Sequence, residues 1–253
     1  MKPTDPESFT GRASVYQRHR ASYPESAARE ILRGFQPPIR VADVGCGTGI
    51  ASRLLATQGA SVIGIEPNAD MIDQARRASE APDIDVRYSA GSGEATGLED
   101  GSVNIVVCAQ SFQWFAPEQA LHEFHRVLKP GGRLVLMWND KSDTDPFTVA
   151  FSKILKQAQA EAKRTGLWQK RNDSRDPTTH GYFENVRHWS CPNPQKLTLD
   201  GVLGRARSAS FFPTDEDSRN AIERQLQALF EEHASEQHVE LCHDTVLTIA
   251  DRK

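Results

Sequence analysis

Short apolar runs alternate with amphipathic segments through the middle of this chain. Five of the runs are five to seven residues long and rich in Val, Ile and Leu; they span residues Ile39–Val44, 61–65, 84–88, Val103–Ala109 and 133–138. Their apolar positions are too continuous for strands that have one face in water. Such runs are typical of parallel strands that are covered on both faces.

The segments between these runs have the start and stop signals of helices. Segment 50–58 is followed by a glycine, segment 68–79 begins at Asn68, and segment 117–128 closes at Lys-Pro-Gly-Gly, residues 129–132. Asn is a good N-cap, and Gly and Pro commonly follow the last turn of a helix. Strands that alternate with helices in this way predict an α/β fold with a doubly wound, mostly parallel sheet.

The two flanks of this region have a different character. Residues 1–38 contain an aromatic and basic stretch and then a helical pattern, whereas helical patterns dominate after residue 139. The predicted elements lie at 25–35, 147–166, 199–208 and 215–233 for helices, and at 188–196 and 245–250 for strands.

These boundaries predict one domain over residues 1–253. Its core covers about residues 39–139 and the C-terminal strands, while segments 1–38 and about 139–238 form helical lid elements. Such a lid would cover the carboxyl edge of the sheet, where open α/β sheets bind their ligands.

Composition narrows the class of partner. The 253 residues include 30 Lys and Arg against 34 Asp and Glu, a formal net charge of −4, without a dense basic cluster. This balance argues against nucleic acid or an anionic membrane, and it favours a small-molecule partner. No apolar window approaches the roughly 18 residues of a membrane span, and the four cysteines are far apart, which is typical of a reduced, cytoplasmic protein. The oligomeric state stays open.

A glycine loop follows the first predicted strand, in the sequence VADVGCGTGI at residues 41–50. Glycines there let the backbone turn sharply and approach a ligand closely. The spacing departs from the dinucleotide fingerprint G-x-G-x-x-G because Ile50 stands where the last Gly or Ala belongs, and no Lys follows as in a triphosphate loop. The next strand ends in Glu66, whose carboxylate can accept hydrogen bonds from both hydroxyls of a ribose. Together these features predict a nucleoside site.

Four segments together resemble the class I S-adenosylmethionine-dependent methyltransferases. They are DVGCGTG, the acid in IEPNADMI, GSGEATGLEDGSVNIVVCAQSFQWF and HEFHRVLKPGGRLVLMWN, within residues 41–139. The Gln-Trp pair after the fourth strand resembles the pair found at this place in the subgroup that includes trans-aconitate methyltransferase. The resemblance implies S-adenosylmethionine as the cofactor, and a seven-stranded Rossmann-like sheet whose seventh strand is antiparallel and inserted beside the sixth.

The resemblance also implies which residues bind the cofactor. Asp43 would orient the glycine loop, Glu66 would hold the ribose, and the carbonyl of Gln110 would accept from the methionine ammonium group. The backbone of the glycine loop, residues 45–47, would line the methionine part of the cofactor. Pro67 and Met71 would face the adenine, and Gly93 and Glu94 would flank it from the next loop. The full set is Asp43, Gly45, Cys46, Gly47, Glu66, Pro67, Met71, Gly93, Glu94 and Gln110. Ser92 departs from the Asp that is common in the family, which weakens the expected contact to the adenine amino group.

Methyl transfer from a sulfonium is an in-line displacement that alignment and desolvation accelerate. The expected acceptor is a small molecule. A carboxylate or hydroxyl oxygen is the candidate for the methylated atom, with nitrogen and carbon left open, and of the two oxygens only the hydroxyl needs a general base. No residue is assigned as that base. The candidates for contact with the acceptor should lie over the carboxyl ends of the strands; they are Tyr16, Arg20, Tyr23, Gln113, Trp114 and Asn139.

Other interpretations of these residues stay open. Arg20 is equally well explained as a solvated charge, and Trp114 as packing under the lid. His122 and His125 lie three apart on a helix without the spacing of a metal site, so no metal is expected. For the whole chain, the alternatives are a nicotinamide-dependent oxidoreductase and a non-catalytic S-adenosylmethionine-binding protein.

Overall fold

The computed structural model describes residues 10–80, 84–164 and 174–253. In chain order the helices are α1 (Ala13–His19), α2 (Glu25–Leu32), α3 (Ile50–Thr57), α4 (Ala69–Ala78), α5 (Pro117–Val127), α6 (Pro146–Arg164), α7 (Leu199–Arg207) and α8 (Glu216–His233). The strands are β1 (Ile39–Val44), β2 (Ala60–Glu66), β3 (Val86–Ala90), β4 (Val103–Ala109), β5 (Leu128–Lys141), β6 (Phe183–Pro192), β7 (Gln195–Leu197), β8 (Val239–Leu241) and β9 (His243–Arg252). Within the described ranges every helix is too short or too polar to span a bilayer.

One seven-stranded sheet has the strand order β3-β2-β1-β4-β5-β9-β6. Strands β1 to β5 pair with one another in parallel, and β9 is antiparallel to both β5 and β6. The predicted doubly wound, mostly parallel sheet is therefore confirmed, and the strand expected at 245–250 lies within β9. Because β1 is next to β4, the direction of winding reverses there, and the carboxyl ends of these two strands form a crevice.

The sheet is covered on both faces, as the continuous apolar runs predict. On one face Val41 and Ile105 belong to an apolar cluster with Ile31 of α2. On the other face Val106 belongs to a second cluster with Phe124 of α5. Each of these side chains is at most 1% exposed. Full burial of one such side chain contributes about 1.5–3 kcal/mol, so the two layers of helices hold the strand ends in place.

A third apolar cluster lies apart from the two sheet clusters. It includes Phe151 of α6, Val202 of α7, Leu226 of α8 and Leu241 of β8. Strands β7 and β8 pair with each other in a separate antiparallel sheet, and α1 contacts both α7 and α4. We call α1, α6, α7, α8, β7 and β8 the cap.

The predicted lid boundaries need two corrections. Helix α2 falls inside the segment 1–38, yet its apolar face, with Ala27 and Ala28 fully buried, packs in the sheet core. Strand β6 falls inside the segment 139–238, yet it pairs with β9 at the edge of the main sheet. Helix α2 is amphipathic at the helical period and β6 at the strand period. Their apolar sides pack against the main sheet rather than against the cap.

Three strand boundaries also differ from the predictions. Strand β3 begins two residues later than the apolar run, and β5 begins at Leu128, directly after α5. The expected helix stop at 129–132 therefore lies inside β5, because Leu128 is fully buried and pairs with Val103 across a register shift. The run at 188–196 covers only the second half of β6, and its last residues belong to β7.

Candidate active site

The glycine loop turns away from β1 at Gly45, where the backbone is left-handed with φ 69°. The amides of Gly45 and Cys46 both donate to the carbonyl of Ile65, at 2.8 and 3.0 Å. A Cβ on Gly45 would lie 2.5 Å from the Cβ of Ser111 and 3.1 Å from the ring of Phe115. Only glycine satisfies both the backbone conformation and the space.

Glu66 ends β2 and faces this loop. Its Oε2 accepts a hydrogen bond from the amide of Gly47 at 2.9 Å, and its Oε1 accepts one from the amide of Asn68 at 3.0 Å. The residue is 9% exposed, and burial raises the pKa of its carboxyl above the ordinary value, although both backbone donors oppose the rise. Two N–H donors thus hold the carboxylate in one orientation at the edge of the crevice.

Asp43 lies one layer behind the loop. It is fully buried, and its Oδ2 accepts a hydrogen bond from the hydroxyl of Ser52 at 2.5 Å. Burial raises the pKa of Asp43 to about 6, since it outweighs the Ser52 hydrogen bond and the negative charge of Glu66 adds to it. The carboxylate ties the end of β1 to α3, and it does not reach the cavity wall.

Gln110 follows β4 and has a left-handed backbone, with φ 58°, although it is not glycine. Its amide donates to the carbonyl of Met137 at 2.8 Å, and its own carbonyl accepts from Nε2 of Gln113 at 2.7 Å. The hydroxyl of Ser111 donates to the carbonyl of Val44 at 2.6 Å. A strained residue held by several partners is a frequent feature of functional sites.

The loop after β3 completes this end of the site. Oε1 of Glu94 accepts a hydrogen bond from the amide of Ala116 at 2.7 Å, just before α5. Gly93 lies beneath the ring of Phe115, where a Cβ would come within 2.5 Å of the ring. Phe115 itself packs edge-on against Phe112 and is nearly buried.

These elements surround one cavity of about 1160 Å³, counting its open mouth. The structure brings most of the predicted site residues to its wall. They are Tyr16, Arg20, Tyr23, Gly45, Cys46, Gly47, Glu66, Pro67, Met71, Glu94, Gln110, Trp114 and Asn139. Asp43, Gly93 and Gln113 lie outside the wall: Asp43 contacts Ser52 of α3, whereas Gly93 and Gln113 contact two wall residues, Phe115 and Gln110.

The cap supplies the other end of the cavity. Nη2 of Arg20 donates to the carbonyl of Ser208 at 3.0 Å, and its guanidinium lies 4.6 Å from the ring centroid of Tyr16. Arg20 is therefore held in place rather than freely solvated. Tyr23 is nearly buried, and burial raises the pKa of its hydroxyl well above the ordinary value.

Asn139 joins the sheet to the segment after α1. Its Oδ1 accepts from the hydroxyl of Thr245 at 2.6 Å, and its Nδ2 donates to the carbonyl of Ser22 at 3.2 Å. The same carbonyl of Ser22 accepts from Nδ2 of Asn193 at 2.8 Å. These hydrogen bonds hold the N-terminal segment over the ends of β5 and β9.

Arg205 of α7 is the charged residue among the several wall residues that are missing from the set predicted from the sequence. It is 8% exposed, its Nε has no hydrogen-bond partner in the described part of the chain, and burial lowers its pKa to about 9. A signal for it was present in the helical pattern. Arg205 shares the buried face of α7 with Gly201 and Val202, four and three positions earlier. A charged residue on an apolar helix face indicates a special environment.

The histidine pair of α5 has ordinary surface contacts. The rings of His122 and His125 lie 5.5 and 5.6 Å from the ring of Tyr182. Residues 10–80, 84–164 and 174–253 contain no group of three or more His, Cys, Asp or Glu residues that is arranged to hold a metal ion.

Comparisons with known proteins identify the family. A model described as a methyltransferase domain matches residues 42–136. The chain is also similar to an uncharacterised methyltransferase-like protein of Schizosaccharomyces pombe, C25B8.10. The two are 30% identical over 256 residues, which cover 98% of this chain and 97% of the relative.

Two solved structures show the likeness in fold. A structure from Anaeromyxobacter dehalogenans, whose description suggests a type II methyltransferase, has a TM-score of 0.67 at 22% identity and covers 92% of this chain and 97% of its own. Geranyl diphosphate C-methyltransferase from Streptomyces coelicolor, solved with geranyl diphosphate and S-adenosyl-L-homocysteine, has a TM-score of 0.53 at 19% identity and covers 90% and 78%. The chain therefore belongs to the class I S-adenosylmethionine-dependent methyltransferases, and S-adenosylmethionine is its cofactor.

Proposed function

We propose that this enzyme methylates a small molecule at an oxygen, with cofactor and acceptor side by side in the one cavity. The observation that supports this most strongly is the composition of the wall. One end consists of the glycine loop and Glu66, and the other consists of Tyr16, Arg20 and Asn139.

The first end suits an adenosyl ligand. Glu66 would hold the ribose hydroxyls, because its carboxylate already has a fixed orientation toward the loop. Pro67 and Met71 offer an apolar wall for the adenine, and Glu94 and Ser92 of the next loop also line the cavity.

The methionine part of the cofactor would lie along the glycine loop. Gly45, Cys46 and Gly47 present backbone there, and a Cβ on Gly45 would force Ser111 to shift. Gln110, which has a left-handed backbone and lines the cavity, would accept from the ammonium group through its carbonyl. Asp43 and Gly93 would act from behind, by fixing the loop and the ring of Phe115.

S-adenosylmethionine supplies an electrophilic methyl group on a sulfonium. The contribution of this chain is alignment and exclusion of water, which together can supply about 7–11 kcal/mol of the barrier for well-oriented reactants. We propose that the cap, with the segment 10–23, closes the cavity for this purpose. Hydrogen bonds from Arg20 to Ser208 and from Asn139 to Ser22 connect this segment to the end of α7 and to β5.

A carboxylate is the acceptor group that the wall favours. The carboxylates of the described wall are Glu66 and Glu94, and both accept hydrogen bonds from backbone amides at the cofactor end. A hydroxyl acceptor would need a base to take its proton, whereas a carboxylate needs none at neutral pH. The acceptor end holds arginine and tyrosine instead, so a carboxylate oxygen matches it better.

Two measurements test this function. S-adenosylhomocysteine is titrated into wild type and into Glu66→Gln, for which we expect affinity to fall by about 1.5–3 kcal/mol through lost charged hydrogen bonds. Glu99→Gln, which removes an exposed carboxylate, is the matched control and should bind as wild type does. Labelled S-adenosylmethionine is then assayed with a panel of mono-, di- and tricarboxylates and hydroxy acids.

Three outcomes would contradict the proposal. Tight binding of S-adenosylhomocysteine without transfer to any acceptor would indicate a non-catalytic binding protein. Binding of NAD(H) in its place would indicate an oxidoreductase. Equal affinity of Glu66→Gln and wild type would remove Glu66 from the ribose site.

A further inference from the structure

The acceptor end of the cavity has a positive charge that the chain does not balance. Arg20 and Arg205 both lie on the wall, and neither forms an ion pair with a carboxylate in the described part of the chain. By contrast Arg207, two positions after Arg205 on the same helix, pairs with Glu223 through two hydrogen bonds of 2.8 Å.

Arg205 is buried as well as without an ion pair, and Arg20 is half-buried. Arg205 is 8% exposed, and the Nε atoms of both arginines are buried without a hydrogen-bond partner among the described residues. Burial, and next the positive charge of Arg20, lower the pKa of Arg205 to about 9. A buried charge without a partner is costly in free energy, and it is normally retained where a ligand supplies the opposite charge.

Two more basic residues lie behind the arginines. Lys141 and His243 are directly opposite each other in the pair of β5 and β9. Burial lowers the pKa of Lys141 to about 7, and the charges of Arg205 and Arg20 contribute next. Burial lowers the pKa of His243 to about 4, and the charges of Arg205 and Lys141 contribute next. The protein interior around Arg205 is therefore basic from three elements, α7, β5 and β9.

We propose that Arg205 and Arg20 form an anion-binding subsite, so that the acceptor is a small molecule with a carboxylate or phosphate group held there. This inference rests on the proposed function, and it adds the class of substrate and the residue that selects it. A guanidinium presents five N–H donors in a planar fork, which matches the oxygens of a carboxylate or phosphate in pairs. Tyr16 and Tyr23 lie close enough to Arg205 to interact with it electrostatically, and they add two hydroxyls to the wall of the same cavity.

An acceptor held in this way has at least one anionic group in addition to the oxygen that is methylated. The arginines would bind that group on the cap side, and the second oxygen would extend toward the glycine loop. Molecules with a single neutral hydroxyl would leave the basic groups unbalanced. The subsite would therefore select acidic substrates, because a neutral substrate would leave the buried positive charge without a counter-charge.

The experiment uses citrate and inorganic phosphate as probes, titrated by calorimetry into the full chain saturated with S-adenosylhomocysteine. The variants are Arg205→Met, Arg205→Lys and, as the matched control on the same helix, Arg207→Met. We expect wild type and Arg207→Met to bind at least one of the two anions. We expect Arg205→Met to bind it about tenfold more weakly or worse, and Arg205→Lys to be intermediate, because lysine keeps the charge without the fork. Citrate binding alone would indicate a carboxylate site, and phosphate binding alone a phosphate site.

The affinity for S-adenosylhomocysteine separates failure of the inference from failure of the proposed function. It should stay within about twofold of wild type in Arg205→Met, and thermal unfolding should show that this variant is folded. Intact cofactor binding without binding of either anion would overturn the inference and leave the proposed function standing. A loss of S-adenosylhomocysteine affinity in Arg205→Met, without a loss for 5′-methylthioadenosine, would overturn it by assigning the arginine to the carboxylate of the cofactor. Failure of wild type to bind S-adenosylhomocysteine would reject the proposed function itself.

Discussion

The two ends of the cavity differ in whether the chain itself supplies hydrogen-bonding or charged partners for their charged groups. At the cofactor end, the carboxylates of Glu66 and Glu94 receive backbone N–H groups from the loops beside them. At the acceptor end, Arg20 and Arg205 face the cavity without a carboxylate in the described part of the chain. One end is electrostatically complete before a ligand binds, and the other is not.

This difference indicates what each end contributes. A complete end has its donors and acceptors fixed in place, so it loses little free energy to reorganisation when a ligand binds. An incomplete end gains most from a ligand that supplies the missing charge, and it discriminates against ligands that do not. Cofactor binding should therefore depend on the shape and the fixed hydrogen-bonding groups of its end, and acceptor binding on unbalanced charge. The following substitutions test that division.

The largest effect should come from Gly45→Ala. The new Cβ would strain a left-handed backbone and collide with Ser111, so we expect the free energy of unfolding to fall by about 2–5 kcal/mol and cofactor affinity to fall with it. Gly59→Ala is the matched control: Gly59 has φ 90°, and a Cβ added there would meet nothing within 4 Å, so only the backbone strain applies. Denaturant titration and S-adenosylhomocysteine binding compare the two. Equal effects in both variants would mean that the close approach at Gly45 is unimportant.

His243 should make the acceptor end sensitive to acid. Its pKa is lowered from 6.5 to about 4, so the folded state holds the neutral ring while the unfolded chain takes up a proton. The contribution of His243 to the free energy of unfolding is therefore fully present above pH 6.5. It is lost as the pH decreases toward 4, by about 3 kcal/mol in all. His243→Leu should remove this part of the acid sensitivity. Denaturant midpoints from about pH 4.5 to about pH 7.5 compare the variant with wild type, and parallel profiles would contradict the assignment.

Arg205→Met should make the fold more stable while it impairs acceptor binding. Removal of a buried charge without a partner should raise the free energy of unfolding by about 1–4 kcal/mol. Arg207→Met breaks the pair with Glu223 and should lower stability by about 0–1 kcal/mol, because that pair is partly solvated. Thermal unfolding at neutral pH measures these two changes in stability, which should have opposite signs. Destabilisation by both substitutions would show that Arg205 has a partner within the chain.

The smallest effect should come from Asn193→Ala at the mouth. Its Nδ2 donates to the carbonyl of Ser22 at 2.8 Å and to Oδ1 of Asn139 at 3.2 Å, so we expect a loss of about 1 kcal/mol in stability. Release of the N-terminal segment should raise KM for the acceptor more than the Kd for S-adenosylhomocysteine. Asn220→Ala, at an exposed position of α8, should leave both unchanged. A Kd that rises as much as KM would place this segment on the cofactor side.

Much of the fold follows from local sequence pattern, and the exceptions have physical causes. The apolar runs predict the central strands because a parallel strand that is buried on both faces has no polar alternation to obscure it. The sequence does not predict α1, a seven-residue helix whose N-cap, Arg12, makes no side-chain cap hydrogen bond. Such a helix depends on its packing against α7, which no local signal reports.

The cofactor end of the site could be predicted for the same reason, and the acceptor end could not. The glycine loop and Glu66 lie within about one strand and one helix of each other, so a single motif includes both. Arg20 and the carbonyl of Ser208 that it contacts are 188 positions apart. Arg205 reaches the cavity through the packing of α7 against α1, which is distant in sequence. Its position on the apolar face of α7 indicated an unusual environment but not which cavity it faces.

A crystal structure with S-adenosylhomocysteine tests most directly the division of the cavity into a cofactor end and an acceptor end. We expect the ribose hydroxyls to lie within hydrogen-bond distance of Glu66, and the sulfur to face the part of the cavity lined by Arg20 and Arg205. A ligand whose sulfur faces away from these arginines, or an adenosine bound outside the glycine loop, would contradict that division.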